Sequence, residues 1–186
     1  MSNRNGARSS SFLGGALLLA AACSMGCGGL SAGDYVIYRV AFGEQSSSDG
    51  CYYPNDGPDP NTRNDSNTFL AAETFVLYAG VEDTFYLEAT GVALEGTADG
   101  DVYSFGGKDV DVEYQNADGT GYKFTTTTST TVEMTMDGAS VSGTSSTKLS
   151  QSCKGTGCPD LPPSCTQSRD FIGTEVEDLE LEHAVD

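Results

Sequence analysis

The residues of this chain best suited to chemistry are four of its six cysteines and a row of hydroxyls. Cys51, Cys153, Cys158 and Cys165 can cross-link or hold a metal. The gaps of four and six residues within the late cluster are not the two-residue knuckles of a zinc site. Disulfides are the expected use, with three pairings open. A bridge from Cys51 to the late cluster would close a loop of about 100 residues, for which the chain-entropy model gives ~4–5 kcal/mol. Thr126, Thr128 and Thr130 take the even positions of one segment and Ser145 and Thr147 the odd positions of the next, on one inner face. Their hydroxyls could line a wet cavity and bind a polar ligand, although Thr is also an ordinary strand former. Tyr52 and Tyr53, beside Cys51, complete the ligand-binding candidates.

Metal and catalytic groupings are weaker. Asp56, Asp59, Asn61 and Asp65 offer oxygens of the kind Ca²⁺ takes, but not at the spacing of a calcium-binding loop. A solvated acidic loop is the expectation there, with no metal and no cofactor. His183 is the only His, so any triad built on imidazole would have to use a residue near the terminus. Two of the 27 acids could converge as a glycosidase pair, but with so many acids that possibility points nowhere in particular. No phosphate-cradling Gly motif is present.

Charge narrows the partners. The chain has 186 residues, with 27 acidic and 9 basic groups and a formal charge of −18. Every acid lies from Asp34 onward, while Arg4 and Arg8 precede residue 23. Removing residues 1–22 would leave seven basic groups against 27 acids, or −20. Such a surface excludes non-specific nucleic-acid binding, which needs positive charge. It also opposes a charge-driven hold on acidic lipid. High charge with few Leu, Ile, Val and Phe falls in the range of disordered chains. The aromatic residues, the cysteines and a sustained alternation of apolar and polar residues oppose that reading. The expectation is a folded domain with a thin core.

The N-terminus reads as an address. Residues 1–11 are polar with two Arg, and residues 12–22 are an apolar run of 11 ending in Ala20-Ala21-Ala22 before Cys23. That is the layout of a secretory signal. The run into Cys23 resembles the lipobox of bacterial lipoprotein precursors, with Ala20 where that family most often has Leu. The resemblance covers residues 1–27. It implies cleavage before Cys23, lipidation of Cys23 and, with Ser24 next, sorting to the outer membrane. Residues 23–34 would then be a lipidated flexible tether. The domain would span 35–186, with a long irregular loop at 43–68.

The body reads as strands. Alternation with turn residues between predicts strands near 35–42, 73–79, 84–89, 92–97, 101–106, 109–115, 121–136, 139–149 and 167–173. Segment 176–184 fits either a strand or a helical face. In 109–115 the pattern puts Val110, Val112 and Tyr114 on the buried side. Asp118-Gly119 and Asp137-Gly138 suit tight hairpin turns. A loop at 137–138 pairs residues whose numbers sum to 275, so that Met136 meets Ala139 and Val132 meets Gly143. Hairpins joined in chain order predict an all-β antiparallel meander, with an up-and-down barrel favoured over a sandwich. The architecture resembles lipocalin- and avidin-type barrels, without a motif of either.

The function expected from these features is a non-enzymatic binding module, lipid-anchored at the outer membrane. Its ligand would be a small molecule, a glycan or an envelope protein. The alternatives are a structural or protein-interaction domain with no pocket, and a carboxylate-dependent glycosidase.

Overall fold

Alternation decides this fold, because side chains on a strand point to opposite faces in turn. The computed structural model describes residues 30–52, 68–115 and 121–177. In chain order these form β1 (Tyr35–Phe42), β2 (Ser46–Ser47), α1 (Thr68–Ala71), β3 (Thr74–Ala79), β4 (Phe85–Ala89), β5 (Val92–Asp99), β6 (Val102–Gln115), β7 (Tyr122–Asp137), β8 (Ser140–Gly155) and β9 (Cys165–Glu175). From β3 to β9 each strand pairs antiparallel with the next, and β1 pairs with both β3 and β9. Eight strands therefore close an up-and-down barrel. The short β2 continues the line of β1 along β9, through Ser46↔Ser168 and Ser47↔Gln167. The first part of the long loop is thus laid onto the barrel.

The interior is apolar at one end. Phe75, Leu77 and Leu87 are completely buried, with Phe105, Val132, Met134, Val141 and Phe171 around them. Each aromatic or aliphatic side chain so enclosed contributes about 1.5–3 kcal/mol. The outer face is mostly polar: Glu95, Glu133, Ser142, Thr144 and Lys148 point to solvent, with Val102, Val110, Tyr114 and Ile172 scattered among such residues. A membrane-spanning barrel has the opposite arrangement, with an apolar band outside.

All the hairpin turns at 80–84, 100–101 and 138–139, the start of β1 and the end of β9 lie at one end of the barrel. Leu30, Tyr38 and Tyr103 help close that end. Leu30 packs against the core, and its backbone is hydrogen-bonded to Tyr103. Residues 31–34 make a turn there, with Gly33 N–H donating to the Ala79 carbonyl at 3.0 Å. The last part of the segment read as tether is therefore folded onto the barrel.

Two expectations are corrected. The hairpin of β7 and β8 pairs Asp137↔Ser140, Met136↔Val141 and Val132↔Ser145, so the sum is 277 rather than 275. The loop residues are Gly138 and Ala139. Gly138 has φ 58°, and neither Asp137 nor Ala139 has a positive φ. That is the sign pattern of a II′ turn, with Gly at the first central position. The 275 register would have required Asp137 to be left-handed. Secondly, 101–106 and 109–115 are one continuous strand, β6. Its inward parity is that of Tyr103 and Phe105, so Val110 and Tyr114 fall on the outer face, 47% and 67% exposed. The four cysteines meet the expectation of disulfides. They form two, Cys51–Cys165 and Cys153–Cys158. Two disulfides are the mark of an extracytoplasmic protein.

Residues 176 and 177 continue from β9 without strand pairing. The rest of segment 176–184 and the Asp118-Gly119 turn lie outside the described residues. The helix α1, at the near edge of the long loop, was not anticipated.

Candidate functional site

The end of the barrel away from the β1 start is polar inside. Here β7, β8 and β9 present hydroxyl, amide and guanidinium groups on the inner face. The ladder places Thr130 opposite Thr147, and Thr147 opposite Gln167. One step along, Ser145 stands opposite Arg169. Ser145 is 0% exposed, Gln167 2%, Thr147 6% and Thr130 7%. The hydroxyls of Ser145 and Thr147, and Nε of Arg169, are buried with no hydrogen-bond partner. Each buried polar group left in that condition costs about 1–3 kcal/mol. Native interiors avoid this, so three such groups on two neighbouring strands call for an explanation.

Arg169 also ties the wall to α1. Its Nη1 donates to the Leu70 carbonyl at 3.0 Å. Phe69 of the same helix packs on Phe75, ring centroids 6.0 Å apart. The helix is too short to be stable alone; it is held by these contacts over the apolar core.

An opening leads toward the wall. The β5–β6 ladder ends at Glu95↔Gly106. Beyond that pair the strands splay, and the Leu94 side chain leans over Gly107, where a Cβ would lie 2.5 Å from its Cδ2. The result is a cleft of about 370 Å³, with Phe69 and Leu94 as apolar surfaces, Lys108 and Asp109 at the rim, and Thr128 and Thr130 behind. A larger depression, of about 650 Å³, lies on the outside of the barrel by Arg39, Ser142 and Ile172. Ile172 there is 69% exposed. The unpartnered buried groups line neither hollow, but only the cleft reaches Thr130, the cross-strand neighbour of Thr147.

Of the residues singled out from sequence, Thr128 and Thr130 line the cleft, and Ser145 and Thr147 continue the wall inward from Thr130. Thr126 lies further out on β7, half-buried, opposite Gln151. Tyr52 is half-buried beside Cys51, which the bridge to Cys165 holds two residues along β9 from Gln167. Tyr53, Asp56, Asp59, Asn61, Asp65, His183 and Cys23 lie outside the described residues. Among the described residues no group of three His, Cys, Asp or Glu is placed to hold a metal. Gln167 and Arg169 were missed, yet they share parity with Cys165 and Phe171. That alternation was the signal that could have found them.

Burial also acts on the tyrosines at the closed end. Tyr38 is 0% exposed and its hydroxyl has no partner. Desolvation, then the charge of Glu175 and the neighbouring Tyr103, push its pKa from 10.0 up to about 12. Burial also raises Tyr103, against the lowering effect of its hydrogen bond with Leu30, and raises Tyr78. The unfolded chain ionises these phenols near their ordinary pKa. The stabilisation is therefore complete below pH 10 and is lost as pH rises toward 12, by about 2–3 kcal/mol for Tyr38 alone. A titration followed at 295 nm should show Tyr38 ionising only together with unfolding, while exposed tyrosines titrate reversibly first. Reversible ionisation of every tyrosine near pH 10 in the folded protein would contradict this.

Compared with protein-family models, curated proteins and solved structures, the chain matches none.

Proposed function

We propose that this chain is an exported, lipid-anchored, non-enzymatic binding module that takes a small molecule at the polar end of its barrel. The observation that carries this reading is the set of buried, unpartnered groups on Ser145, Thr147 and Arg169, which continue the barrel wall inward from Thr130 at the back of the cleft. A ligand with an apolar part against Phe69 and Leu94, and hydrogen-bonding atoms reaching past Thr130, would satisfy them. The chemistry supports binding rather than turnover. Among the described residues no base is hydrogen-bonded to the Ser145 hydroxyl to activate it as a nucleophile. Asp109 is the one carboxylate lining the cleft among the described residues, where glycoside hydrolysis uses two.

The anchor follows from residues 12–23 and is consistent with the disulfides. The chain enters the barrel at the end opposite the cleft. A lipid on Cys23 would therefore turn the cleft away from the bilayer. Cys23→Ser should release the protein from outer membranes, and retention of that variant would count against the anchor.

The binding reading is tested on oxidised protein exported into a bacterial periplasm. Native mass spectrometry should show a carried small molecule. Thr147→Val removes a hydroxyl that has no partner in the free barrel, so it should leave the ligand-free protein as stable or up to ~1 kcal/mol more stable. It should also weaken ligand retention by about tenfold, the worth of one good hydrogen bond. A bare mass together with a destabilised Thr147→Val would sink the proposal.

A further inference from the structure

We propose that the outer edge of β6, residues 109–115, accepts an extended segment of another protein as an added strand, and that this segment carries basic side chains at alternate positions. The first ground is the backbone. The ladder from β6 to β5 ends at Gly106, whereas the ladder to β7 runs on to Gln115↔Tyr122. Among the described residues, 107–115 therefore have a strand on one side only. The far half of this edge stands beyond the barrel rim, because β5 begins only at Val92. An unpaired strand edge is a template for another strand.

The second ground is the side chains. Asp109, Asp111 and Glu113 share one face of the edge and are exposed. Val110, half-exposed Val112 and Tyr114 share the other. Lys123, the cross-strand neighbour of Tyr114, holds its Nζ 5.9 Å from the Tyr114 ring. Proteins usually blunt a long edge with Lys, Pro or a bulge. Lys108 stands at the start of this edge, but the charged residues of 109–115 are all acids on one face, with apolar residues on the other. A second copy of the chain is a poor occupant, since pairing two such edges would set carboxylates against carboxylates. A strand alternating Lys or Arg with β-branched residues complements both faces at once. This edge lies at the barrel end opposite the chain entry, so an anchor on Cys23 would leave it accessible.

The test uses the full oxidised chain and three synthetic peptides: (Lys-Val)4, a block peptide of four Lys and four Val, and (Glu-Val)4. Fluorescence anisotropy should show (Lys-Val)4 binding at least about tenfold more tightly than the block peptide. Hydrogen exchange should show slowed amides within 109–115 on binding. The triple variant Asp109→Lys, Asp111→Lys, Glu113→Lys alters exposed side chains and should retain the far-ultraviolet spectrum of the barrel. It should lose (Lys-Val)4 and gain (Glu-Val)4. Equal binding of the alternating and block peptides would reduce the effect to attraction by a chain of charge −18 and overturn the proposal. Unchanged exchange at 109–115, or undiminished (Lys-Val)4 binding by the triple variant, would overturn it equally.

Discussion

Replacing Cys51 and Cys165 together with Ser is expected to lower the free energy of unfolding by about 4–5 kcal/mol. The bridge joins residues 114 apart, and the chain-entropy model gives that much for a loop of this length. Both half-cystines are buried, at 5% and 2% exposure. The bridge also fixes the start of the long loop. It holds the Cys51 end to β9, next to β2 and the Ser48 N–H that donates to the Thr166 carbonyl at 2.8 Å. Typical domains are stable by only 5–15 kcal/mol, so this one loss threatens folding at 37 °C. The Cys153–Cys158 pair closes a separation of five residues, for which the same model gives about 2 kcal/mol. Urea unfolding of the two double-Ser variants should rank them in that order. Equal midpoints would show that loop length does not govern either bridge here.

Phe75→Ala is the second large effect, expected at about 3–5 kcal/mol. Phe75 is 0% exposed. Its ring meets three others: Phe171 edge-on at 5.1 Å, Phe42 at 6.0 Å and Phe69 at 6.0 Å. The substitution leaves a cavity where β1, β3, β9 and α1 converge, and strand backbones in a closed sheet cannot collapse to fill it. Because Phe69 rests on this ring, α1 should loosen too, and with it the apolar side of the cleft. Thermal unfolding should therefore be accompanied by faster amide exchange at 69–72. A loss below ~1 kcal/mol would mean that the aromatic cluster repacks and that its edge-on geometry is incidental.

Much of the barrel was readable because alternation and turn chemistry are local. Phe85, Leu87 and Ala89 announce a face, and so do Val132 and Met134; the structure buries both sets. Alternation cannot say which face is inside once a strand leaves the barrel. In 109–115 the apolar residues looked like the buried set, but the strand is continuous with Tyr103 and Phe105 and inherits their parity. Beyond the rim both faces are largely exposed among the described residues. The β7–β8 register was ambiguous for a related reason. Sums of 275 and 277 both preserve parity, and only the left-handed φ at Gly138 with ordinary φ at its neighbours separates them.

The candidate site was half legible. A Thr row on one parity is visible in the chain, but Gln167 and Arg169 join it only because β9 lies beside β8. That Ser145 and Thr147 lack partners depends on what the neighbouring strands place near them, which no spacing reveals.

By itself the sequence determined most of the strands, their order as successive hairpins and the acidic charge, since each rests on local composition or on a period of two. Only the tertiary structure decided the closure of β1 on β9, the pairing of the four cysteines, the inward face of β6 and the seating of α1 over the core. Each of these joins residues far apart in the chain, and the free energy of such contacts depends on which surfaces the closed barrel brings together.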